Sequence, residues 1–461
     1  MQLLPPKATL VILTFLILMK APDAMPAFKN YKVLDWRSIP AVLDFTPRKT
    51  SADPIEDEHL RMRPDKDAAS YRIYRLNDPA RAMDHFYEAL RRTELGQSGA
   101  VTRIVHYGDS PTTADLITGD ARKLLQSRFG DAGHGFCLLA KPWAWYGHNG
   151  VDITSDGWNI EPASMTKVRD GFYGLGGVSF RGSAGAASFF KLKDPSHTRV
   201  EVAYLRQPGG GAFQVLAEDA ALGTVDTQGP AVTPAYAAFD IPPGARRFQI
   251  RVLSAQVRAF GVRFGKQGPG LEYDSLGLNG AYVSVLAKMF DARHWEMQLQ
   301  QLRPDLVIIN YGTNESAYAA FVDQAYGKEL TEIVRRVRDA LPRTSILMMS
   351  PMDRGQRESS GEIGTVGTIP RLVTIQQKVA LETGCGFFNT FQAMGGPGTM
   401  GRWYQAEPRL VGGDFIHPMP SGARIVGNLL YQALFDGYSR FKVRKMQEKF
   451  ASAPTTASAP K

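Results

Sequence analysis

A serine hydroxyl attacks an ester carbonyl efficiently only when a base takes its proton, a carboxylate orients that base, and donors await the oxyanion. This chain offers residues for each task. Ser110 lies in Gly108-Asp109-Ser110, between the short predicted strand 103–107 and a stretch of helical periodicity, which places its hydroxyl at the carboxyl edge of a sheet beside free helical N–H groups. A capping residue at a helix start explains the same tripeptide. Asp414 and His417 stand three apart, a spacing that lets the carboxylate hold one imidazole nitrogen while the other faces the serine. That spacing occurs four times, at Asp131/His134, Asp194/His197, Asp291/His294 and Asp414/His417, so context must select among them. Only His417 follows the last predicted strand and precedes a C-terminal helix. Asn314, in Gly312-Thr313-Asn314 directly after the apolar run 305–311, would project from the same edge as Ser110 and offer an amide to the oxyanion. Gly-x-Asn recurs at 147–149 and 277–279, so placement after a strand again decides. Gly280, within 277–281, supplies a turn whose backbone N–H can approach a substrate oxygen closely.

These residues need elements to carry them. Apolar spacing predicts a helix over 79–95 with Asn77 or Asp78 at its start, a strand over 103–107 and a helix over 112–129. From 151 to 265 the pattern changes to alternating runs separated by Gly/Pro clusters, which predicts a β-sandwich or jelly-roll. Beyond 270, continuous apolar runs at 305–311, 345–350 and 386–389 predict buried parallel strands, with helices near 323–340, 370–383 and 420–435. The expected architecture is therefore α/β, interrupted by an all-β module.

Taken in order, the serine block at 108–110, the glycine turn at 280, the asparagine block at 312–314 and the Asp-x-x-His at 414–417 resemble the four blocks of the SGNH (GDSL) hydrolase family. The resemblance covers roughly 79–145 and 268–436. It implies a three-layer, flavodoxin-like domain with a mostly parallel sheet. It makes Ser110 the nucleophile and first oxyanion N–H, Gly280 the second N–H, Asn314 the side-chain donor, and His417 the base oriented by Asp414. The stretches 105–115, 124–136, 276–281, 310–316 and 393–403 are more narrowly similar to bacterial peptidoglycan O-acetylesterases, in which a carbohydrate-binding-like module interrupts the hydrolase. Those enzymes commonly place His after the nucleophile, where this chain has Pro111.

The expected activity is therefore removal of O-acetyl groups from peptidoglycan by an exported serine esterase. The alternatives are an esterase or O-acyltransferase acting on another acylated polysaccharide, or a catalytically silent polysaccharide-binding protein. The chemistry needs no cofactor or metal. The chain has 461 residues and a net charge of +9, an excess that favours anionic partners without any basic run or nucleic-acid signature. Lys7 followed by the apolar run 8–19 suits an export signal or N-terminal membrane anchor, placing the remainder in the periplasm or cell envelope. The two cysteines, Cys137 and Cys385, sit in apolar contexts that suit separate buried thiols. The expected organisation is a signal or anchor at 1–27, an extension at 28–78, the hydrolase at 79–148 and 268–440, the β module at 149–267, and a disordered tail at 441–461.

Overall fold

A computed structural model describes residues 73–165 and 170–451. The expected signal, most of the extension and the last ten residues lie outside this range. Among the described residues no helix is long and apolar enough to cross a membrane.

The strands, numbered along the chain, begin with β1 (Val101–Gly108). They continue through β2 (Gly133–Cys137), β3 (Val151–Pro162), β4 (Val178–Leu192), β5 (Arg199–Arg206) and β6 (Ala212–Ala217). Next come β7 (Ala220–Asp226), β8 (Thr233–Asp240), β9 (Arg247–Ser254), β10 (Gln256–Gly265) and β11 (Gly270–Gly277). The last are β12 (Leu306–Asn310), β13 (Ser345–Met349), the short pair β14 (Gly355–Arg357) and β15 (Ile363–Thr365), and β16 (Gly386–Phe388). Helices of eight residues or more are α1 (Asp84–Glu94), α2 (Leu116–Phe129), α3 (Ala292–Leu302), α4 (Gly327–Ala340), α5 (Thr368–Glu382) and α6 (Pro420–Ala451).

Five strands form a wholly parallel sheet in the order β11-β1-β12-β13-β16. Counted along the chain within this sheet the order is 2-1-3-4-5, so the crossover direction reverses between β1 and β12. The strands are almost wholly buried because both faces are covered, and β12, β13 and β16 are correspondingly rich in apolar residues. Ile104, Leu306, Ile308, Leu347 and Phe388 pack with Phe86 of α1, Leu125 of α2 and Leu430 of α6. Their neighbours Val105, Val307, Ile309, Met348 and Phe387 pack with Trp295 of α3, Val337 of α4 and Leu372 of α5. Alternation along each strand thus feeds two cores.

The remaining large sheet is antiparallel and nine-stranded, with β7-β6-β9-β4-β10-β5-β8 as its path, β2 beside β10 and β3 beside β4. Within it β4 pairs with β10 through Phe180–Ser183 and with β9 through Ala187–Lys191, so one long strand changes partner along its length and joins both halves. Its core is continuous with one face of the parallel sheet. Trp143, Tyr146, Tyr173 and Tyr204 are buried in that core, and Trp158 and Phe172 pack against it.

Three boundaries differ from expectation. The antiparallel sheet starts at β2, before residue 149, because Gly133–Cys137 runs alongside β10. The region from 441 begins as helix: α6 continues to Ala451, held by Lys442 on Glu94 and by Arg444 on Asp84. The first helix begins at Asp84; Asp78 still serves its start by accepting from the Ala82 and Met83 N–H groups at 2.6 and 3.1 Å. Both cysteines are free and buried.

Candidate active site

β1 and β12, which flank the reversal in strand order, deliver the key residues. Gly108 ends β1 where a Cβ would lie 2.3 Å from Thr112 Oγ1, so only glycine lets the chain fold back this tightly. A 3-10 turn over Ser110–Thr112 follows, with Pro111 inside it and the Thr113 N–H donating to the Ser110 carbonyl at 3.1 Å. Pro111, with its fixed φ and no N–H, suits this first turn.

The loop before α6 brings Asp414 and His417 to Ser110. His417 Nε2 lies 2.8 Å from Ser110 Oγ, and His417 Nδ1 lies 2.5 Å from Asp414 Oδ2. The other carboxylate oxygen of Asp414 accepts from the N–H groups of Ile416 and His417 at 3.0 and 3.1 Å. Partial burial pushes the Asp414 carboxyl upward, but the imidazole and these two N–H groups outweigh it and hold it below the ordinary carboxylate value. The turn requires a left-handed residue between them, Phe415 at φ +58°, whose ring is fixed against Tyr404 at 4.9 Å.

None of the other three Asp-x-x-His pairs makes a carboxylate–imidazole contact of this kind. His134 Nε2 contacts His148 Nδ1, His197 Nδ1 contacts the Asp194 carbonyl, and Asp291 caps α3 through the His294 N–H. The contexts chosen by chain order and by geometry therefore agree on Asp414 and His417. His134, Cys137 and His148 do bring their ligand-type atoms within 4.8 Å of one another, a grouping that residue spacing did not suggest.

Gly280 sits at φ +68° with open space where a Cβ would be, and its N–H has no acceptor among the described residues. Its loop is pinned from four directions. The Leu278 N–H donates to the Gly108 carbonyl at 2.9 Å, and Ser164 Oγ of the β module donates to the Asn279 carbonyl at 2.6 Å. Asn314 Nδ2 donates to the Ala281 carbonyl at 2.8 Å, and the Val283 N–H donates to Glu315 Oε1 at 2.7 Å. Asn314 therefore spends one of its two amide hydrogens on the loop and has one left for a ligand. Replacing Asn314 with Ala should lower kcat on a small acetate ester roughly 100- to 1,000-fold, the range for loss of one oxyanion donor. Steady-state kinetics showing less than about a threefold loss would remove Asn314 from that role.

Two acids behind this loop were not singled out from the sequence. Burial raises Asp109 to about 6, against a hydrogen bond from the Thr313 N–H, and raises Glu315 to about 8. Nothing local distinguishes Glu315 from an ordinary first-turn acid; only its complete burial does. A protonated Glu315 adds no negative charge next to a developing oxyanion. Its proton is also linked to stability. The unfolded chain releases it near the ordinary carboxyl value of 4.5 while the folded chain keeps it to about 8, so its contribution is lost as pH rises across that interval. Glu315→Gln should therefore show a smaller decline in Tm between pH 5 and pH 8 than the unsubstituted protein. An identical decline in thermal melts would contradict this.

A cavity of about 550 Å³ lined by Val101, Arg103, Glu272 and Arg303 opens at the opposite, amino end of β1 and plays no part in this constellation.

Residues 249–425 match the model of the GDSL-like Lipase/Acylhydrolase family. That match takes in Gly280, Asn314, Asp414 and His417 but not Ser110. Among solved structures, a peptidoglycan O-acetylesterase shares the fold with a TM-score of 0.67 at 22% identity, over 79% of this chain and 99% of that one. An acetyl xylan esterase, AlAXEase, gives 0.27 at 18% identity over 35% and 80% of the two chains. The C-terminal CBM6 of the laminarinase LamC from Zobellia galactanivorans gives 0.19 at 16% identity over 25% and 99%. The last two scores are too low to carry an argument. No curated protein sequence matches the chain.

Proposed function

We propose that this chain, whose residues 249–425 match the GDSL-like Lipase/Acylhydrolase model and whose fold is shared with a solved O-acetylesterase, is an exported serine esterase that removes O-acetyl groups from cell-wall peptidoglycan. The observation that carries the reading is the hydrogen-bonded series Asp414–His417–Ser110, assembled from residues 307 positions apart.

In this mechanism His417 Nε2 takes the Ser110 proton as Oγ attacks the acyl carbonyl. The tetrahedral oxyanion meets the N–H groups of Ser110 and Gly280 and the remaining Asn314 amide hydrogen. His417 then returns the proton to the departing sugar oxygen, leaving an acetyl-Ser110 ester. Water, activated by the same imidazole, attacks that ester and releases acetate. Asp414 keeps His417 in the tautomer with hydrogen on Nδ1 and stabilises the imidazolium that forms.

The peptidoglycan part of the proposal rests on similarity to the solved O-acetylesterase, and export rests on the apolar run at 8–19. The deciding experiment compares acetate release from O-acetylated peptidoglycan with release from acetylated xylan and acetylated alginate. Preferential release from peptidoglycan is expected. Faster turnover of either alternative polymer would reassign the substrate, and no release from any would overturn the esterase reading on glycans.

A further inference from the structure

The loops around Ser110 carry arginines that have no carboxylate partner among the described residues. Arg354 follows β13 and is half-buried. Its Nη1 donates to the Thr313 carbonyl and to Ser316 Oγ, both at 2.9 Å, which fixes the guanidinium against the Asn314 segment. Its Nε and Nη2 have no protein acceptor among the described residues. Arg357 lies 5.4 Å over the Phe415 ring, and Arg409 lies 4.1 Å over the Tyr404 ring, which itself packs on Phe415. None of the three forms an ion pair among the described residues, whereas Arg335, Arg371 and Arg440 elsewhere on the surface do.

Aromatic surface accompanies this charge. Tyr282, two residues beyond Gly280, pairs with Tyr318, four beyond Asn314, at 6.1 Å between ring centroids. Tyr318 is 58% exposed, unlike Trp143, Tyr146, Tyr173 and Tyr204, which are buried. Arg354 is anchored on Thr313 and Ser316, two residues before Tyr318, and Asn314 of the same segment holds the Ala281 carbonyl next to Tyr282, so the guanidinium and the tyrosine pair are carried by the same two loops. An anchored guanidinium with an unused donor edge suits a carboxylate held by two hydrogen bonds, and an exposed ring beside it suits the apolar face of a sugar.

We propose that Arg354, with Tyr282 and Tyr318, forms a subsite beside Ser110 that binds a carboxylate on the glycan near the esterified sugar, so that the enzyme selects anionic over neutral acylated glycans. This rests on the esterase reading above and adds to it a specificity-determining residue. Arg357 and Arg409 add positive charge beside the Asp414–His417 loop through their stacking on Phe415 and Tyr404.

The test uses one O-acetylated glycan bearing carboxylates, prepared with those carboxylates free or converted to amides, and measures kcat/KM for acetate release from each form. Wild type should prefer the free form by roughly tenfold, as expected for one charge-assisted contact, and the preference should shrink as salt is added. Arg354→Gln should bring the ratio of the two forms close to one, with Arg354→Lys in between because it keeps the charge and loses the fork. General damage to the centre lowers both forms together and leaves the ratio unchanged, so Arg354→Gln with the wild-type ratio overturns the subsite. Equal turnover of both forms by wild type also overturns it while leaving the esterase reading standing. Failure to release acetate from either form, with retained hydrolysis of a small acetate ester, overturns the glycan reading itself.

Discussion

Ser110→Ala is expected to lower kcat for acetyl-ester hydrolysis by roughly 10^4- to 10^6-fold, and His417→Ala by a similar factor, because nucleophile and base act as one unit. The double variant should be little worse than either single one. Ser110 Oγ makes its hydrogen bond to His417, whose side chain is half exposed, so neither truncation opens a cavity in the core. Thermal melts should stay within a few degrees of wild type. Acetate release measured alongside circular dichroism checks both halves: either variant retaining more than about a tenth of wild-type kcat would displace the assignment. His134→Ala is the matched control, since its ring contacts His148 and not Ser110. Loss of activity in that variant without unfolding would mean that the wrong Asp-x-x-His had been chosen.

The second large effect is at Asp414. Asp414→Asn should lower kcat by roughly 10^3- to 10^4-fold with little change in KM. The loss has a specific origin. A carboxylate accepts the hydrogen on His417 Nδ1 and leaves Nε2 free to take the serine proton. An amide can present its N–H to Nδ1, which places the imidazole hydrogen on Nε2 and blocks that transfer. The carboxyl is held below its ordinary value in the wild type, so it remains ionised throughout the working range, and the Asn variant should not recover as pH is raised through 8. A pH–rate profile in which the variant regains wild-type kcat would contradict this account.

Much of this arrangement was legible in the residues themselves. Continuous apolar runs marked β12, β13 and β16, and a glycine block after each of β1 and β12 marked the edge where Ser110 and Asn314 emerge. The break in periodicity at about residue 150 marked the insertion. Other features had no local signal. β2 belongs to the antiparallel sheet only because β10, more than a hundred residues later, runs beside it. The helix past residue 441 depends on Glu94 and Asp84 at the other end of the described chain. Asn314 was read as an oxyanion donor, and its amide is shared with the Ala281 carbonyl, a contact that depends on how two loops meet.

The sequence by itself determined which residue types are available and the order in which strand, turn and helix present them, because backbone preferences and side-chain periodicity act over a few residues. Tertiary structure alone decided that Ser164 of the inserted module ties down the Gly280 loop, and that Arg354 is anchored on Thr313 and Ser316 without an ion pair among the described residues. It also decided that Glu315 stays protonated near neutrality. Each of these depends on distances between segments far apart in the chain and on the removal of water around them, and burial, not residue identity, sets the charge a group carries.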